Sequence, residues 1–219
     1  MCQREGVSLQ RGMNYRIKGD YSVILMSLRS NAPYRDRLEG DGTILIYEGH
    51  DAPHTSSTPN PKNINQPQFT PSGALTENGK FHLAAQEFKQ NLRDPEKVKV
   101  YEKIHSGIWS YNGLFHLIDS WKESDGNREV FKFKLAAVND FIIENGAIDN
   151  LSERRRLIPT SIKLEVWKRD GGKCVACGAV DELHFDHIIP FSKGGTSLTA
   201  DNVQLLCARH NLEKRDKIE

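Results

Sequence analysis

The pattern of apolar and polar positions predicts a strand-rich region over the first two-thirds of the chain. Turn signals are read at "YNG" (111–113) and "SDGN" (124–127), and helical spacing in "NGKFHLAAQEFKQNL" (78–92) predicts one helix among the strands. The predicted strands, rich in β-branched and aromatic residues, are "YSVILMSL" (21–28), "GTILIYEG" (42–49), "KVKVYEKI" (97–104), "GLFHLIDSW" (113–121) and "REVFKFKLAAV" (128–138).

Two stretches lack this pattern and divide the chain. Residues 51–72 are rich in Pro, Ser, Thr and Asn, which predicts a long loop that supplies no core. A second change of composition over 139–161 predicts the junction between two domains. We expect a first domain at 1–140, a linker at 141–158 and a second domain at 159–219.

The second domain opens with an amphipathic segment. "SIKLEVWKRDGG" (161–172) predicts a helix with a Ser/Thr cap after Pro159 and an end at Gly171–Gly172. Further along, if "LHFD" (183–186) is a strand, Leu183 and Phe185 face one side and His184 and Asp186 the other. A second short strand at "NVQLL" and a helix carrying "CARHNLEKRDK" then complete the domain.

Composition and charge narrow the class of protein. The 219 residues are 37% hydrophobic and 27% charged, with a net charge of +1. This composition is typical of a globular protein and not of a strongly basic one. The sequence offers no apolar run of about 20 residues for a bilayer and no apolar signal segment at its start. We therefore expect a cytoplasmic protein without a membrane partner. Electrostatic binding to DNA would therefore depend on local basic clusters such as "RRR" (154–156). The alternative is that such a short cluster is the solvent-exposed face of a helix.

The cysteine spacing predicts a metal site. Cys174 and Cys177 form a C-x-x-C pair, and Cys207 and His210 form a second pair after 29 intervening residues. In a reducing compartment this set predicts a tetrahedral zinc ion. All four ligands are protein side chains, so the zinc would be structural; two unrelated pairs in a core are the alternative.

Between these pairs the chain resembles the HNH, or ββα-metal, nuclease family. The resemblance extends over about residues 160–217, with Asn211 where many members have a third histidine and His210 in place of a cysteine. The matching positions are Asp186–His187, Gly194–Gly195, Asn202, Cys207–His210 and Asn211.

This resemblance implies phosphodiester hydrolysis. His187 would be the general base, since imidazole titrates near neutral pH. Asp186 and Asn211 would supply oxygen ligands for Mg²⁺ or Mn²⁺, and Asn202 would orient the loop or the imidazole. His184 is expected to be a strand histidine without a role. The alternative is an inactive, zinc-stabilised DNA-binding unit.

The first domain resembles the SRA (YDG) family, which binds DNA by flipping a modified cytosine into a pocket. The resemblance covers about residues 15–138 and is carried by "ILIYEGH", "LTENG" and "GIWSYNGLFHLIDSW", where Tyr111-Asn112-Gly113 replaces Tyr-Asp-Gly. It implies a base pocket with Tyr47 and Tyr34 as stacking faces and Asp36 as acceptor for the cytosine N4 amino group. The 51–72 loop would enter the duplex, and the expected DNA contacts are Arg35, Arg37, Lys62, Asn63 and Lys80.

Taken together, these patterns predict an α+β protein: an SRA-like twisted β-barrel or sheet with flanking helices, followed by a small ββα-metal domain. The expected function is a modification-dependent DNA endonuclease that recognises 5-methylcytosine or 5-hydroxymethylcytosine in duplex DNA. Cutting both strands predicts a homodimer, and no small-molecule substrate is expected. The alternatives are a non-cleaving reader of modified DNA, or an HNH nickase or homing-type nuclease that reads unmodified sequence.

Overall fold

The structure is a computed structural model. It describes residues 5–9, 11–17, 19–138, 141–144, 147–150, 157–215 and 217–218. We refer to residues 5–138 as the N-terminal lobe and to residues 157–218 as the C-terminal lobe. Between them, β8 (Phe141–Glu144) and β9 (Ala147–Asn150) pair as a small antiparallel hairpin within the predicted linker.

In the described part of the N-terminal lobe, seven strands form one open sheet in the order β1-β2-β5-β6-β7-β4-β3. Neighbours are antiparallel except β2 and β5, which run parallel. The strands are β1 (Met13–Ile17), β2 (Tyr21–Met26), β3 (Arg37–Glu39), β4 (Ile44–Glu48), β5 (Glu96–His105), β6 (Ile108–Ser124) and β7 (Glu129–Ala137). The five strands predicted from sequence are all present.

The predicted turn at Tyr111-Asn112-Gly113 is wrong. These residues lie inside the continuous strand β6, where Val100 pairs with Gly113 and Tyr101 pairs with Tyr111. Asn112 is therefore the extra residue of a β-bulge, and Gly113 adopts the positive φ of +104° that such a kink requires. The Asn-Gly pair is a turn signal only where no partner strand continues alongside, and here β5 continues.

One helix covers the sheet, as predicted. α1 (Glu77–Lys89) begins at Thr76, whose hydroxyl accepts a hydrogen bond from the Gly79 amide at 3.1 Å. The helix buries Phe81, whose ring meets Phe133 of the sheet edge-on with centroids 5.9 Å apart. The core joins both layers through Met13, Ile24, Leu45, Tyr47, Phe81, Ala84, Val98, Phe115, Phe131, Phe133 and Leu135.

The 51–72 loop is tied to the sheet by polar side chains. Gln66 is buried: its amide group donates to the Gly49 carbonyl, and its side-chain oxygen accepts from the Phe131 amide at 2.8 Å. Arg128 donates to the carbonyl oxygens of Pro61 and Ile64. The loop therefore lies against the edge of the N-terminal lobe, as loops do when their backbone groups find partners.

The C-terminal lobe is a ββα unit with one preceding helix. α2 (Thr160–Arg169) packs on a hairpin of β10 (Leu183–His187) and β11 (Val203–Cys207), and α3 (Ala208–Lys214) follows. The expected Ser/Thr cap of α2 is wrong, because Pro159 occupies the cap position and no side chain caps the helix. Thr160 instead lies in the first turn and donates its hydroxyl to Glu102 of the sheet.

These elements confirm the α+β class. Of the two predicted forms of the first domain, a barrel or a sheet, the described strands form a sheet. No helix within the described ranges is both long and apolar enough to cross a membrane.

Candidate active site and base pocket

The β10–β11 hairpin sets the positions of Asp186 and His187. Asp186 lies opposite Gln204 and His187 opposite Val203, so the two side chains leave the strand on opposite faces. His187 Nε2 lies 2.7 Å from the hydroxyl of the buried Ser197, on the loop between the strands. Sequence patterns gave no signal for Ser197, because its contact depends on how that loop folds back.

Asn202 holds that loop in place. Its side-chain oxygen accepts from the Ile189 amide at 2.8 Å, and its amide group donates to the carbonyls of Ile189 and Thr196. Gly195 is required at the crossing, since a Cβ there would lie 1.8 Å from the Ile189 oxygen. The side chain of Asn202 thus stabilises the loop that carries Ser197.

Asp186 faces α3, which also carries Asn211. Lys214 Nζ, on the last residue of that helix, lies 2.9 Å from Asp186 Oδ2. Asn211 is three residues from Lys214 and therefore on the same face of the helix. Oδ2 is nevertheless a buried atom without a hydrogen-bond partner, the one such side-chain atom found among the described residues. A buried carboxylate oxygen left in this way is a hard oxygen ligand of the kind that a divalent cation such as Mg²⁺ prefers.

His187 also lines a cleft between the two lobes. The cleft has a volume of about 280 Å³ and includes Phe185 from the C-terminal lobe and Tyr111 and Asn112 from the sheet. The predicted base therefore faces the N-terminal lobe rather than the far side of the molecule. His184 pairs with Leu206 in the hairpin, on the strand face that Asp186 shares.

The predicted zinc ligands are brought together. One ligand atom from each of Cys174, Cys177, Cys207 and His210 lies within 4.8 Å of the others. Cys177 Sγ and Cys207 Sγ are 3.8 Å apart, and Cys174 Sγ lies 3.5 Å from His210 Nδ1. A tetrahedral zinc with Zn–S bonds of about 2.3 Å places its sulfurs about 3.8 Å apart, so the donor set fits zinc.

The electrostatics of this cluster favour thiolate at Cys174 and Cys207, whose pKa values are lowered, and not at Cys177, whose pKa is raised. Burial raises the pKa of Cys174, but hydrogen bonds from the backbone amides of Cys207, Ala176 and Cys177 and from the Cys177 side chain outweigh it and lower the pKa to about 6. Hydrogen bonding to Cys207 raises the pKa of His210 above its usual value. His187 is not among the four clustered residues, so the metal cluster and the predicted base are separate.

In the N-terminal lobe, Tyr34, Asp36 and Tyr47 line one cavity of about 480 Å³. Both Asp36 oxygens accept backbone hydrogen bonds at 3.0 Å, one from Ser27 and one from Glu48. Burial raises the pKa of Asp36 to about 7 despite these bonds. Tyr47 is fully buried, and burial raises its pKa well above its usual value.

A fourth residue, His50, belongs to this cavity and was missed from the sequence. Its ring stacks on Tyr34 with centroids 5.1 Å apart at 11°, and its Nε2 lies 2.9 Å from the Tyr47 hydroxyl. Burial lowers the pKa of His50 to about 4, which keeps the imidazole neutral at pH 7. The sequence signal that could have identified His50 is its position directly after Tyr47-Glu48-Gly49, at the end of strand β4.

Of the five predicted DNA contacts, Lys62 is the one that touches the pocket. Its Nζ lies 4.3 Å from the Tyr34 ring centroid and forms an ion pair with Asp51 at 2.9 Å. Arg35 and Asn63 are exposed. Arg37 and Lys80 are paired with neighbouring carboxylates, Glu39 and Glu77 respectively.

One family model matches part of the C-terminal lobe. Residues 174–217 match the family model described as HNH endonuclease, which covers the zinc ligands, the hairpin and α3. No curated protein sequence matches the chain.

Among solved structures, the chain is similar to the SUVH5 SRA domain in complex with hemimethylated CG DNA. The identity is 21% and the TM-score 0.41, over 65% of this chain and 79% of that one. The same domain bound to fully hydroxymethylated CG DNA gives 20% identity and a TM-score of 0.38 over the same shares of 65% and 79%. Arabidopsis thaliana SUVH6 in complex with SAM gives 19% identity and a TM-score of 0.39, over 72% of this chain and 25% of that one.

Proposed function

We propose that this protein is a modification-dependent DNA endonuclease. Its N-terminal lobe takes a flipped 5-methylcytosine or 5-hydroxymethylcytosine, and its C-terminal lobe hydrolyses a nearby phosphodiester bond. The observation that carries the proposal is that the neighbouring residues Asp186 and His187 lie within the region matching HNH endonucleases and outside the Cys₃His cluster. We assign residues 1–140 to recognition, 141–158 to a linker and 159–219 to the nuclease.

Asp186 and Asn211 would hold a divalent cation, Mg²⁺ or Mn²⁺, and the four clustered residues would hold a structural zinc. The divalent ion, when bound, supplies positive charge that stabilises the phosphate and the leaving oxygen. Support for this assignment comes from the buried Asp186 Oδ2 without a hydrogen-bond partner and from the place of Asn211 on α3, three residues before the Lys214 that contacts Asp186.

His187 acts on the attacking water. Its imidazole takes a proton from the water as the water oxygen forms a bond to phosphorus, and the bond from phosphorus to the leaving sugar oxygen breaks. The leaving oxygen then takes a proton from solvent. Ser197 fixes the ring through Nε2, and Asn202 fixes the loop on which Ser197 lies. Because His187 lines the cleft between the lobes, the DNA strand to be cut would enter that cleft.

Recognition uses the cavity around Tyr34, Asp36, Tyr47 and His50. Each Asp36 oxygen uses one acceptor site on a backbone amide, so lone pairs remain for a cytosine N4 amino group. Aromatic rings on the same wall offer stacking surface that offsets the cost of unstacking a base. One nuclease site cuts one strand, so a double-strand break would need two copies of the chain on the DNA.

The test compares three copies of one plasmid, unmodified, 5-methylated and 5-hydroxymethylated at cytosine, incubated with the protein and Mg²⁺ or Mn²⁺. We expect cleavage of a modified plasmid and an intact unmodified one. His187→Ala should abolish cleavage while leaving binding to modified duplex unchanged. The matched control is His105→Ala, an exposed histidine on the β5–β6 hairpin, which should cut like the wild type.

Each alternative has its own outcome. Equal cutting of all three plasmids would identify a nuclease that reads unmodified sequence. Binding to modified DNA without cleavage, unaffected by His187→Ala, would identify a reader. Conversion only to nicked circles would identify a nickase and remove the need for a homodimer.

A further inference from the structure

Lys214 is a buried lysine in contact with a predicted ligand of the catalytic cation. Its side chain is 1% exposed, its Nζ lies 2.9 Å from Asp186 Oδ2, and it donates a hydrogen bond to the His187 carbonyl oxygen at 2.7 Å. Lysine is rarely buried to this degree unless it is paired. In the free protein, therefore, the charge next to Asp186 is an ammonium group of the protein itself.

The geometry of this pair leaves the carboxylate only partly satisfied. Lys214 is close enough to Oδ2 for an ion pair, but the contact does not have hydrogen-bond geometry, and Oδ2 has no other partner within the described ranges. The well-aligned hydrogen bond of Lys214 goes to the His187 backbone. The ammonium is thus held by the backbone beside Asp186, and no hydrogen bond uses the lone pairs of Oδ2.

The formal charges at the site then decide how strongly a divalent cation binds. Asp186 contributes one negative charge, Asn211 contributes none, and Lys214 contributes one positive charge, so the site is neutral before any metal enters. Sites for Mg²⁺ and related ions depend on carboxylate or phosphate oxygens to offset the ion's charge. Coulomb repulsion between a divalent ion and an ammonium a few ångströms away opposes binding of that ion.

We propose that Lys214 makes binding of the catalytic cation depend on DNA: the free protein binds the ion weakly, and a DNA phosphate supplies the missing negative charge. The inference rests on the proposed nuclease function and assigns Lys214 as a positioning residue that acts through Asp186. In this arrangement the cation and the phosphate enter the site together. A nuclease lobe without DNA then carries little catalytic metal.

The experiment measures Mn²⁺ binding rather than cleavage. Zinc-loaded full-length protein carrying His187→Ala, which leaves DNA uncut, is titrated with Mn²⁺ and followed by electron paramagnetic resonance. The titration is done without DNA and with saturating modified duplex. We expect the duplex to raise Mn²⁺ affinity at least tenfold in this background. Adding Lys214→Met to this background should raise the Mn²⁺ affinity without DNA at least tenfold. The further increase in Mn²⁺ affinity caused by the duplex should then be smaller.

Two further variants separate the charge from the fold. Lys214→Arg keeps the positive charge and should retain weak binding without DNA. Asn211→Asp adds a negative charge on the partly exposed face of α3, so it tests the same charge balance even where Lys214→Met fails to fold. It should also raise Mn²⁺ affinity at least tenfold without DNA and reduce the effect of the duplex. Zinc content and the thermal melting curve establish that each variant is folded.

The outcomes distinguish this inference from the proposed function. If folded Lys214→Met and its parent bind Mn²⁺ equally without DNA, or the variant binds more weakly, the inference is overturned and the nuclease proposal stands. If Lys214→Met does not fold and Asn211→Asp leaves Mn²⁺ affinity unchanged, the charge balance is likewise refuted. Absence of Mn²⁺ binding in every variant, with and without DNA, would overturn the nuclease proposal itself.

Discussion

Lys163 Nζ lies 2.7 Å from Glu102 Oε2, and this buried ion pair joins α2 of the C-terminal lobe to β5 of the sheet. The same ammonium donates to the Asn112 side-chain oxygen at 2.7 Å, and Asn112 in turn donates to Glu102. Burial raises the pKa of Glu102, but the ion pair with Lys163 and three hydrogen bonds outweigh it and lower the pKa. The two lobes are therefore joined by a network in which every charge has a partner.

The first prediction concerns this pair. Lys163→Met leaves the Glu102 carboxylate buried without its cation, and breaking a buried pair from one side costs about 3–5 kcal/mol. We expect calorimetry at pH 7 to show that loss, or a separate low-temperature transition for the C-terminal lobe. Lys168→Met, at an exposed position of the same helix, is the control and should change stability by about 0.5 kcal/mol or less. Equal stability of the two variants would mean that the pair does not hold the lobes together.

The second prediction explains the asparagine at position 112. An aspartate there would place two carboxylates beside one ammonium and remove the amide that donates to Glu102. Asn112→Asp should therefore lower the free energy of unfolding by about 1.5–3 kcal/mol at pH 7, the range for a hydrogen bond to a charged group. The loss should shrink as the pH falls below about 4.5, because one carboxyl then takes up a proton. Asn63→Asp, on the exposed loop, should have no such effect.

Sequence patterns identify features that depend on neighbouring residues in the chain, and they miss contacts between residues that are far apart in the chain. Strand and helix periodicity and the C-x-x-C and C-x-x-H spacings are local. Local spacing predicts β4, β7 and α1 correctly, and it identifies the four residues that the fold brings together in the Cys₃His cluster. The buried lysines Lys163 and Lys214 carry no such signal. Lys163 lies 61 residues from Glu102, and only the folded chain brings such partners together.

Two errors have a related cause. The Asn-Gly pair at 112–113 was read as a turn, yet pairing with β5 makes it a bulge, so neighbouring strands overrode the local preference. Thr160 was read as a helix cap, yet its hydroxyl bonds Glu102 of the other lobe. Both positions lie at the contact between lobes, where tertiary partners compete with local structure.

The third prediction concerns zinc. The cluster joins the Cys174–Cys177 turn to the end of β11, where Leu206, Ala179 and Leu183 pack against the two buried cysteines. Cys174→Ser should therefore lose zinc and melt the C-terminal lobe, since structural zinc supplies folding free energy directly. Metal analysis should find one zinc per wild-type chain. Cys2→Ser, a cysteine distant in sequence, is the control and should retain it; a stably folded Cys174→Ser without zinc would contradict a structural role.

The fourth prediction is the pH dependence set by His50. Its pKa is about 4 in the folded protein and about 6.5 when unfolded, so between these values the unfolded state binds a proton that the folded state does not. The contribution of His50 to the free energy of unfolding is therefore fully present above about pH 6.5. It is lost as the pH falls toward 4, by up to about 1.4 kcal/mol per pH unit. Asp36, with its raised pKa, has the opposite slope over the same range, so only a variant comparison isolates His50.

Denaturant unfolding of His50→Phe and wild type from pH 4 to 7 makes that comparison. The variant should lose less stability on acidification than the wild type. The exposed His54→Phe is the matched control and should keep the wild-type slope. Parallel curves for His50→Phe and wild type would show that the imidazole is not held neutral by burial.

The fifth prediction separates positioning from binding at the proposed active site. The Ser197 hydroxyl, 2.7 Å from His187 Nε2, fixes the ring and touches neither DNA nor metal in the proposed mechanism. Ser197→Ala removes this hydrogen bond, which contributes about 1 kcal/mol. The variant should therefore lower kcat about five- to tenfold and leave KM for modified DNA unchanged. Ser192→Ala, at an exposed position of the same loop, should cut at the wild-type rate. An unchanged kcat for Ser197→Ala would mean that the loop backbone alone orients the imidazole, and the role assigned to the hydroxyl would be lost.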